Sequence, residues 1–295
     1  MSFADEVCLE LCELPIKKPC CRRAFTEGLL LAAEETGKHT VWVRYRREVV
    51  ATVASDMIHR QYAKAPESTM TGLCGHRFYD LQFTSPAASK LLHQLDAVPN
   101  DELIARYLSC EGCTAAFLRG AFLSVGTLND PTKSFHLEFL LLNGRYEGVL
   151  QAFLSQIGYE PRRIVRPKGI GLYYKNSGSV EDLVAKMGSQ SKVFSIINNR
   201  IAREIRNNEN RATNCVTKNI EKSVSAATRQ MEAIGALMEH GKLDSLPESL
   251  RTSAMVRYRN PDATLDELVT LHEPPISKSG LNHRLCKLIE LSEDL

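Results

Sequence analysis

The sequence predicts an α+β domain made of two similar halves, followed by an all-α domain. Residues 21–32 line up with residues 113–124, with Cys, Ala, Phe, Gly and Leu at the same offsets. Such a repeat usually marks a duplicated structural unit. Residues 192–241, by contrast, contain no proline and fit a helix almost throughout. We therefore predict one domain over residues 1–188, with repeats at about 17–96 and 110–188, and a helical domain over residues 189–295.

Each half shows helical and strand-like patterns in the same order. An amphipathic helix that Ser2 would cap ends near Pro15. Apolar spacing then predicts helices at 21–35, 48–63 and 87–95 and strands at 39–46 and 76–83. The second half has predicted helices at 117–124, 145–157 and 180–187, a strand at 134–142 and a strand hairpin at 162–175. Periodicity alone thus establishes α+β structure with an internal repeat.

Two glycines interrupt the apolar pattern of the repeated helix. Gly28 and Gly120 occupy equivalent positions, although glycine inside a helix costs about 1 kcal/mol relative to alanine. Close approach of another backbone is the usual reason to keep such a residue. We expect the two helices to pack against each other at a pseudo-two-fold axis.

The repeated helix, with its glycine and the segment Phe122-Leu123-Ser124-Val125-Gly126-Thr127, resembles the LAGLIDADG motif of homing endonucleases. The resemblance implies two αββαββα-like units that form a saddle-shaped sheet. In that family each helix delivers a metal-binding carboxylate one residue before its final glycine. Ala33 and Val125 stand at these positions here. Neither can bind Mg²⁺, which needs oxygen ligands, so no catalytic residue is predicted.

Two alternatives to a nuclease scaffold without its chemistry stay open at this point. The repeated helices can be ordinary core helices without nuclease ancestry. Conversely, Glu34 and Glu35 retain acids close to the former active site, and a metal-dependent endonuclease would have to use them.

Charge and cysteine usage narrow the class of protein. The net charge of +2 at pH 7 names no partner by itself, and no run of about 18 apolar residues predicts a membrane span. The acidic N-terminus lacks the features of a signal peptide. Nine cysteines without a secretory signal favour reduced thiols in the cytoplasm.

Four of the cysteines raise the question of zinc. Cys110 and Cys113 have the spacing of half a zinc site, and their partners would have to be Cys20 and Cys21. Adjacent cysteines make an awkward chelating pair, and no histidine lies nearby in the sequence. Small buried residues at helix starts are the favoured role, so neither a metal nor a cofactor is predicted.

Basic residues on the strands of the first domain are candidates for a DNA-binding face. The most basic strand-like run is at 162–168. The alternative is a solvated strand edge that discourages aggregation. The candidate residues are Arg44, Arg46, Lys133, Arg162, Arg163, Arg166 and Lys168.

The start of the second domain carries a one-sided charge. Eight basic residues between 192 and 229 are opposed by three acidic ones, which favours phosphate contact over an ordinary solvated helix face. Asn-rich residues 207–215 predict a connection between this helix and a second one at 217–240. The candidate DNA contacts are Arg200, Arg203, Arg206, Arg211, Lys218 and Lys222.

Residues 264–292 predict a helix-turn-helix. After a helix at 247–259, Thr264 and Glu267 form a capping box before a short helix. Residues 272–276 make a tight connection to a helix that Ser277 caps. The leucines at 281, 285 and 288 would share one face. The alternative is a helical hairpin used only for packing.

The N-terminal part of such a second helix enters the major groove. We predict that Lys278, Asn282 and His283 read base edges, since Asn can bind adenine and Lys can bind guanine. Arg284 and Lys287 are assigned to phosphates or bases. Ser277 and Ser279, at the helix N-terminus, suit a phosphate oxygen.

The two predicted domains together resemble the WhiA family of sporulation and cell-division regulators. The resemblance covers nearly the whole chain and is most specific at Pro274-Pro275-Ile276-Ser277-Lys278-Ser279-Gly280 and Asn282-His283-Arg284-Leu285. It also rests on residues 1–3, 117–123, 129–138, 210–211, 214–215, 240–241 and 243–247. It implies a degenerate LAGLIDADG domain without nuclease activity, a linker and a C-terminal DNA-binding domain.

The leading hypothesis is therefore a bacterial, cytoplasmic, nucleoid-associated protein that binds double-stranded DNA sequence-specifically. It would regulate transcription in sporulation, cell division and chromosome segregation. Another transcription regulator and RNA polymerase are further candidate partners. A rival hypothesis makes the first domain a platform for a protein partner, combined with non-specific DNA binding. RNA is disfavoured because no aromatic stacking motif is present.

Overall fold

The computed structural model describes residues 2–73, 76–97 and 101–295. Its contacts divide the chain into two units, Met1–Arg203 and Glu204–Leu295. The sequence changes character earlier, after about Gly188. The difference arises because the first turns of the long helix that follows pack on the first unit, where Val193 and Ile196 join the core.

The order αββαββα occurs twice in the first unit, as predicted. A helix α1 (Phe3–Glu13) precedes both copies and is capped by Ser2. The first copy comprises α2 (Pro19–Leu29), β1 (Ala33–Gly37), β2 (Thr40–Tyr45), α3 (Glu48–Tyr62), β3 (Glu67–Leu73), β4 (His76–Thr84) and α4 (Pro86–Asp96). After α5 (Asp101–Tyr107), the second comprises α6 (Glu111–Val125), β5 (Gly126–Leu128), β6 (Leu137–Leu142), α7 (Glu147–Gln156), β7 (Arg162–Arg166), β8 (Gly169–Tyr174) and α8 (Ser177–Met187).

Each copy folds into an antiparallel four-stranded sheet of the same topology. The strand orders are β1-β2-β4-β3 and β5-β6-β8-β7. One face of each sheet is apolar and packs against helices: Val41, Val43 and Tyr45 alternate as buried residues along β2. The other face carries the polar side chains of the same strands, because successive residues of a strand point to opposite sides.

Helices α2 and α6 pack against each other through the two glycines. A Cβ at Gly28 would lie 2.5 Å from the carbonyl oxygen of Phe117, and one at Gly120 would lie 2.3 Å from that of Phe25. Residues 25 and 117 are equivalent in the repeat, so the contact has the predicted pseudo-two-fold character. The backbones approach too closely for any side chain at either position.

Four features of the first unit differ from the prediction. The helix predicted at 21–35 ends at Leu29 and continues as a 3-10 turn over Leu30–Ala32, after which Ala33 pairs with Val43 in the sheet. An apolar run of this length fits a helix or a buried strand equally well, and sheet pairing decides. Strands β3 and β5 and helix α5 were not predicted, since β3 is a polar edge strand, β5 has only three residues and α5 has only seven.

The second unit is all helical, but its first helix is unbroken. Helix α9 (Gln190–Glu239) runs for 50 residues, so the connection predicted at 207–215 is wrong. Asparagine lowers helix stability by less than about 1 kcal/mol, and no glycine or proline interrupts these residues. A 3-10 turn (Leu243–Ser245), α10 (Glu248–Arg259), α11 (Leu265–Thr270) and α12 (Lys278–Glu293) follow.

A small core holds the helices of the second unit together. Ile234 and Leu237 from α9 meet Ala254 from α10 and Leu268 from α11. Helix α12 adds the three predicted leucines, Leu281, Leu285 and Leu288, which are all fully buried. Within the described residues, no helix of either unit is both long and apolar enough to cross a bilayer.

Candidate functional site

Helices α11 and α12 form a capped helix-turn-helix. Thr264 accepts a hydrogen bond from the backbone of Glu267 at 3.3 Å, and the Glu267 carboxylate accepts one from the backbone of Thr264 at 2.7 Å. The latter bond holds the pKa of Glu267 below its usual value. Ser277 caps α12 by accepting from Gly280 at 3.1 Å. The predicted capping residues are therefore in place at both helix starts.

The face of α12 opposite its leucines is open to solvent. Asn282, His283, Cys286 and Lys287 are exposed there, and Ser279 is exposed in the first turn. The buried leucines hold the helix on α10 and α11, so its orientation is fixed by packing. This is the arrangement in which a helix can present side chains to a groove of a duplex.

Arg284 lies on the flank of α12 and bonds within the fold. Its guanidinium donates to the backbone oxygen of Ser249 at 3.3 Å and reaches the Ser253 hydroxyl at 3.5 Å, both on α10. The sequence assigned Arg284 to phosphates or bases. The structure instead places its charged end against α10, where it links two helices of the same unit.

Two further polar side chains support the helix-turn-helix, and the sequence singled out neither. His272 is buried between α10 and the turn; its Nδ1 lies 2.9 Å from the carbonyl oxygen of Pro274, and its Nε2 lies 2.9 Å from Ser253 Oγ. A carbonyl only accepts, so Nδ1 carries the proton. Arg257 donates to the carbonyl oxygen of Ala263 at 2.7 Å, and burial lowers its pKa. Their signal in the sequence is weak because lone His and Arg residues are common at surfaces.

Both lysines of the predicted surface have acidic neighbours. Lys278 lies 2.7 Å from Asp266, and Lys287 lies 2.9 Å from Glu290. All four side chains are at least half exposed. Exposed ion pairs contribute little to stability, so either ammonium group can exchange its carboxylate for a phosphate.

The basic run of α9 separates into two groups. Arg200 pairs with Glu181 at 2.8 Å, and Arg203 donates to the carbonyl oxygen of Thr132 at 2.7 Å while lying over the Phe135 ring. These two arginines therefore bind within the first unit, and their contact with DNA stays a prediction. The other four predicted residues, Arg206, Arg211, Lys218 and Lys222, are exposed.

On the open faces of the sheets, two predicted arginines are neutralised. Arg44 donates to both carboxylate oxygens of Asp80, at 2.7 and 2.8 Å. Arg166 binds Glu138 in the same bidentate way, at 3.0 and 2.9 Å. The bond from Arg44 lowers the pKa of Asp80. Burial raises the pKa of Glu138, but the bonds from Arg166 and His136 outweigh burial and leave this pKa below its usual value.

The remaining predicted cations of the first unit do not share one surface. Arg163 alternates with Arg162 and Arg166 along β7 and pairs with Glu147 of α7, on the helix side of the sheet. This is the opposite side from the predicted DNA face, because strand neighbours point in opposite directions. Arg46, Lys133, Arg162 and Lys168 are exposed; Lys133 lies in a turn and Lys168 in the β7–β8 hairpin.

At the C-terminal ends of α2 and α6, no acid occupies the two positions where the resemblance places a metal-binding carboxylate. Ala33 and Val125 are buried there, at 1% and 7% exposure. Glu35 is bonded by the Ser89 hydroxyl at 2.8 Å and the backbone of His39 at 3.1 Å, and the first of these bonds lowers its pKa. Glu34 accepts from Asn143 at 3.4 Å. Ala33 and Val125 thus offer no carboxylate to a metal, and Glu34 and Glu35 are engaged in these hydrogen bonds.

Four cysteines meet at the opposite ends of the same two helices. The sulfur atoms of Cys20, Cys21, Cys110 and Cys113 all lie within 4.8 Å of one another. The sequence argument that adjacent cysteines chelate poorly does not fit this geometry, since both sulfurs of the Cys20–Cys21 pair reach the group. All eight cysteines among the described residues are free of disulfide bonds, these four included, and Cys74 lies outside those residues.

Fold and site together define a class of protein: a duplicated αββαββα domain of LAGLIDADG type without the two acids, linked to a helix-turn-helix. The family model described as the WhiA LAGLIDADG-like domain matches residues 114–206. The model described as the WhiA C-terminal HTH domain matches residues 210–292.

Relatives and solved structures agree with these matches. A probable cell division protein WhiA from Syntrophomonas wolfei is 33% identical over 317 residues, covering 100% of this chain and 99% of the relative. One from Clostridium tetani is 38% identical over 180 residues, covering 61% of this chain and 57% of the relative. Full-length DUF199/WhiA from Thermatoga maritima has the same fold (TM-score 0.59, 20% identity, 100% of this chain and 99% of that one). The chain belongs to the WhiA family.

Proposed function

We propose that this chain is a DNA-binding regulator that reads sequence with α12. The observation that carries the proposal is the two-sided character of this helix: Leu281, Leu285 and Leu288 are fully buried, whereas Asn282 and His283 are exposed. Buried leucines make the helix a rigid support, and the outward amide and imidazole are groups that bind base edges in a major groove. The name of the relatives, probable cell division protein, supports division genes as targets.

Phosphate contacts are proposed at the start of α12 and along α9. Ser279 lies in the first turn of α12, near backbone N–H groups that favour an anion. In the second unit, four exposed basic residues lie along α9, namely Arg206, Arg211, Lys218 and Lys222. Their contribution is modest, because residues 204–229 contain five basic and three acidic side chains.

We propose no nuclease activity for the first unit. Its sheets also offer a weaker DNA surface than the sequence suggested, since Arg44 and Arg166 are each held by a carboxylate. This pairing favours a role of the first unit in binding a protein partner, such as another transcription regulator or RNA polymerase. Regulation of sporulation, cell division and chromosome segregation from a position on the nucleoid would follow from binding chromosomal sites.

The experiment that tests the proposal selects genomic fragments with the full chain at several salt concentrations and sequences those retained. Wild type is expected to enrich a shared motif, and Asn282→Ala is expected to weaken that site by about 1–3 kcal/mol and relax the preference. Asn198→Ala is the matched control, because Asn198 is an exposed helical asparagine of the first unit.

Two results would contradict the proposal. Retention without any motif, lost steeply with salt, would indicate a non-specific nucleoid-binding protein. An unchanged motif and affinity in Asn282→Ala would remove this residue from sequence readout and require His283 or Lys278 to be tested in its place.

A further inference from the structure

The starts of α2 and α6 form a cluster of four sulfur atoms, defined by Cys20, Cys21, Cys110 and Cys113. Cys20 and Cys21 lie in the first turn of α2, Cys110 is the N-cap residue of α6, and Cys113 lies in its first turn. Cys21 and Cys113 occupy equivalent positions in the two repeats. Because the helices pack side by side at Gly28 and Gly120, these two sulfurs meet 3.8 Å apart.

The spacing of the sulfur atoms fits one tetrahedral ion. The distances are 4.0 Å for Cys20–Cys21, 3.8 Å for Cys21–Cys110 and 3.4 Å for Cys110–Cys113. Zinc–thiolate bonds of about 2.3 Å place the sulfurs of a regular tetrahedron about 3.8 Å apart. A disulfide requires about 2.05 Å. A four-iron cluster binds each cysteine to a different iron and so holds the sulfurs farther apart than one ion does.

The surroundings of the cluster suit a metal bound by thiolates. A Cβ at position 112 would lie 2.8 Å from the Cys21 sulfur, so Gly112 leaves the space in which the four sulfurs converge. The positive ends of two helices face the cluster and stabilise thiolates. Cys21 and Cys113 are 7% and 1% exposed, whereas Cys20 is exposed and gives an ion access from solvent.

We propose that these four cysteines bind one Zn²⁺ ion that joins the two repeats. Four protein ligands leave no open coordination position, so the site is structural and not catalytic. Two ligands come from each repeat, and the ion would therefore fix the α2–α6 pair at the ends of its helices. The proposal does not depend on DNA binding by the second unit.

The first test measures metal in the full-length chain, purified with reductant and without chelator. Mass spectrometry of the elements is expected to find about one zinc per chain. Cys20→Ser and Cys110→Ser, at the two less buried positions, are expected to lose most of this zinc. Cys215→Ser and Cys286→Ser are the controls, because both cysteines are exposed and lie outside the cluster; these variants should retain it.

The second test uses wild type alone, so that a variant that fails to fold cannot decide the result. Zinc is removed by a chelator under reducing conditions and replaced by Co²⁺. The expected product shows thiolate-to-cobalt charge transfer and the intense visible bands of tetrahedral Co²⁺, both abolished by added zinc. Adding zinc to the metal-free chain is also expected to raise Tm, because the folded chain binds the ion more tightly than the unfolded chain does.

Three outcomes would overturn the assignment. The first is a wild type that contains no more zinc than the Cys20→Ser/Cys110→Ser double variant and shows no tetrahedral cobalt spectrum. The second is a wild type that contains iron and sulfide in place of zinc. The third is a disulfide among the four cysteines, found by peptide mass mapping of the freshly purified chain.

Discussion

Individual side chains of α12 differ in how much of their hydrogen-bonding capacity the fold already uses. Asn282 and His283 extend into solvent, and Ser277 is committed to its cap. Arg284 is bound to α10. The residues with unused polar groups are thus those proposed to read bases, whereas the flanking arginine contributes to the fold. Sequence alone gives all four the same polar character, and only packing distinguishes them.

Replacing Arg284 separates a structural role from a DNA contact. Arg284→Ala is expected to lower the free energy of unfolding by about 1–2 kcal/mol, since two bonds to α10 are lost, while the salt dependence of DNA binding stays as in wild type. Urea unfolding and binding titrations across salt measure the two effects. Lys287→Ala, at an exposed position, should leave stability unchanged. A slope reduced by about 0.9 in Arg284→Ala with normal stability would instead establish a phosphate contact.

Asp80 makes the stability of the first unit depend on pH. The bonds from Arg44 hold its folded pKa below the unfolded value of about 3.9. The carboxylate therefore stabilises the fold above that value, and this stabilisation is lost as pH falls through the folded pKa. Asp80→Asn is expected to cost about 1–3 kcal/mol at neutral pH and progressively less in acid.

Urea unfolding between neutral and acidic pH checks this expectation for Asp80. Asp56→Asn is the matched control, because the Asp56–Arg60 pair on α3 is exposed on both sides. A penalty in Asp80→Asn that stays constant as pH falls would show that the carboxylate charge does not act through Arg44.

At the scale of secondary structure, close contacts decide where elements lie and which residues they tolerate. The α2–α6 pair holds two backbones together at Gly28 and Gly120. Ala33, predicted to extend a helix, belongs to β1 because it pairs with Val43. Helix α9 remains continuous through its asparagines because no breaking residue interrupts it. Local propensity was thus overridden at Ala33 and too weak to matter in α9.

The glycine contact predicts opposite effects for two alanine substitutions in helices. Gly120→Ala is expected to destabilise the chain by about 1–3 kcal/mol, since its methyl group would collide with the backbone of α2. Gly235→Ala in α9 meets nothing within 4 Å and should stabilise by up to about 1 kcal/mol through helix propensity. Thermal unfolding measures both. Equal effects of the two substitutions would mean that α2 and α6 do not approach closely.

For the whole molecule, the first unit has a LAGLIDADG-like architecture without an acid at the two positions where that motif places one. The helix feet are apolar at Ala33 and Val125, and the arginines at 44 and 166 are matched by buried carboxylates. Metal-assisted cleavage of DNA uses metal-bound water near the phosphodiester, and Ala33 and Val125 offer no carboxylate to such an ion.

The proposal that this chain does not cleave DNA is testable. Supercoiled plasmid incubated with the full chain and Mg²⁺ or Mn²⁺ is expected to remain intact, and the Glu34→Gln/Glu35→Gln double variant is expected to behave identically. Gel analysis of the plasmid measures both. Nicking by wild type that disappears in the double variant would establish an endonuclease and refute the present proposal.

The sequence by itself determined the internal repeat and the α+β class of the first domain, because apolar spacing and the repeat are local signals, whereas β1, β3 and β5 emerged only from strand pairing. It also determined the helix caps at Thr264 and Ser277 and the leucine face of α12, for the same reason. Tertiary structure alone decided what each polar residue contacts. Packing directs Arg200 and Arg203 to the first unit, Arg163 to the helix side of its sheet and Arg284 to α10. It also brings together cysteines some 90 positions apart, since such contacts depend on how helices and sheets meet, which no local pattern encodes.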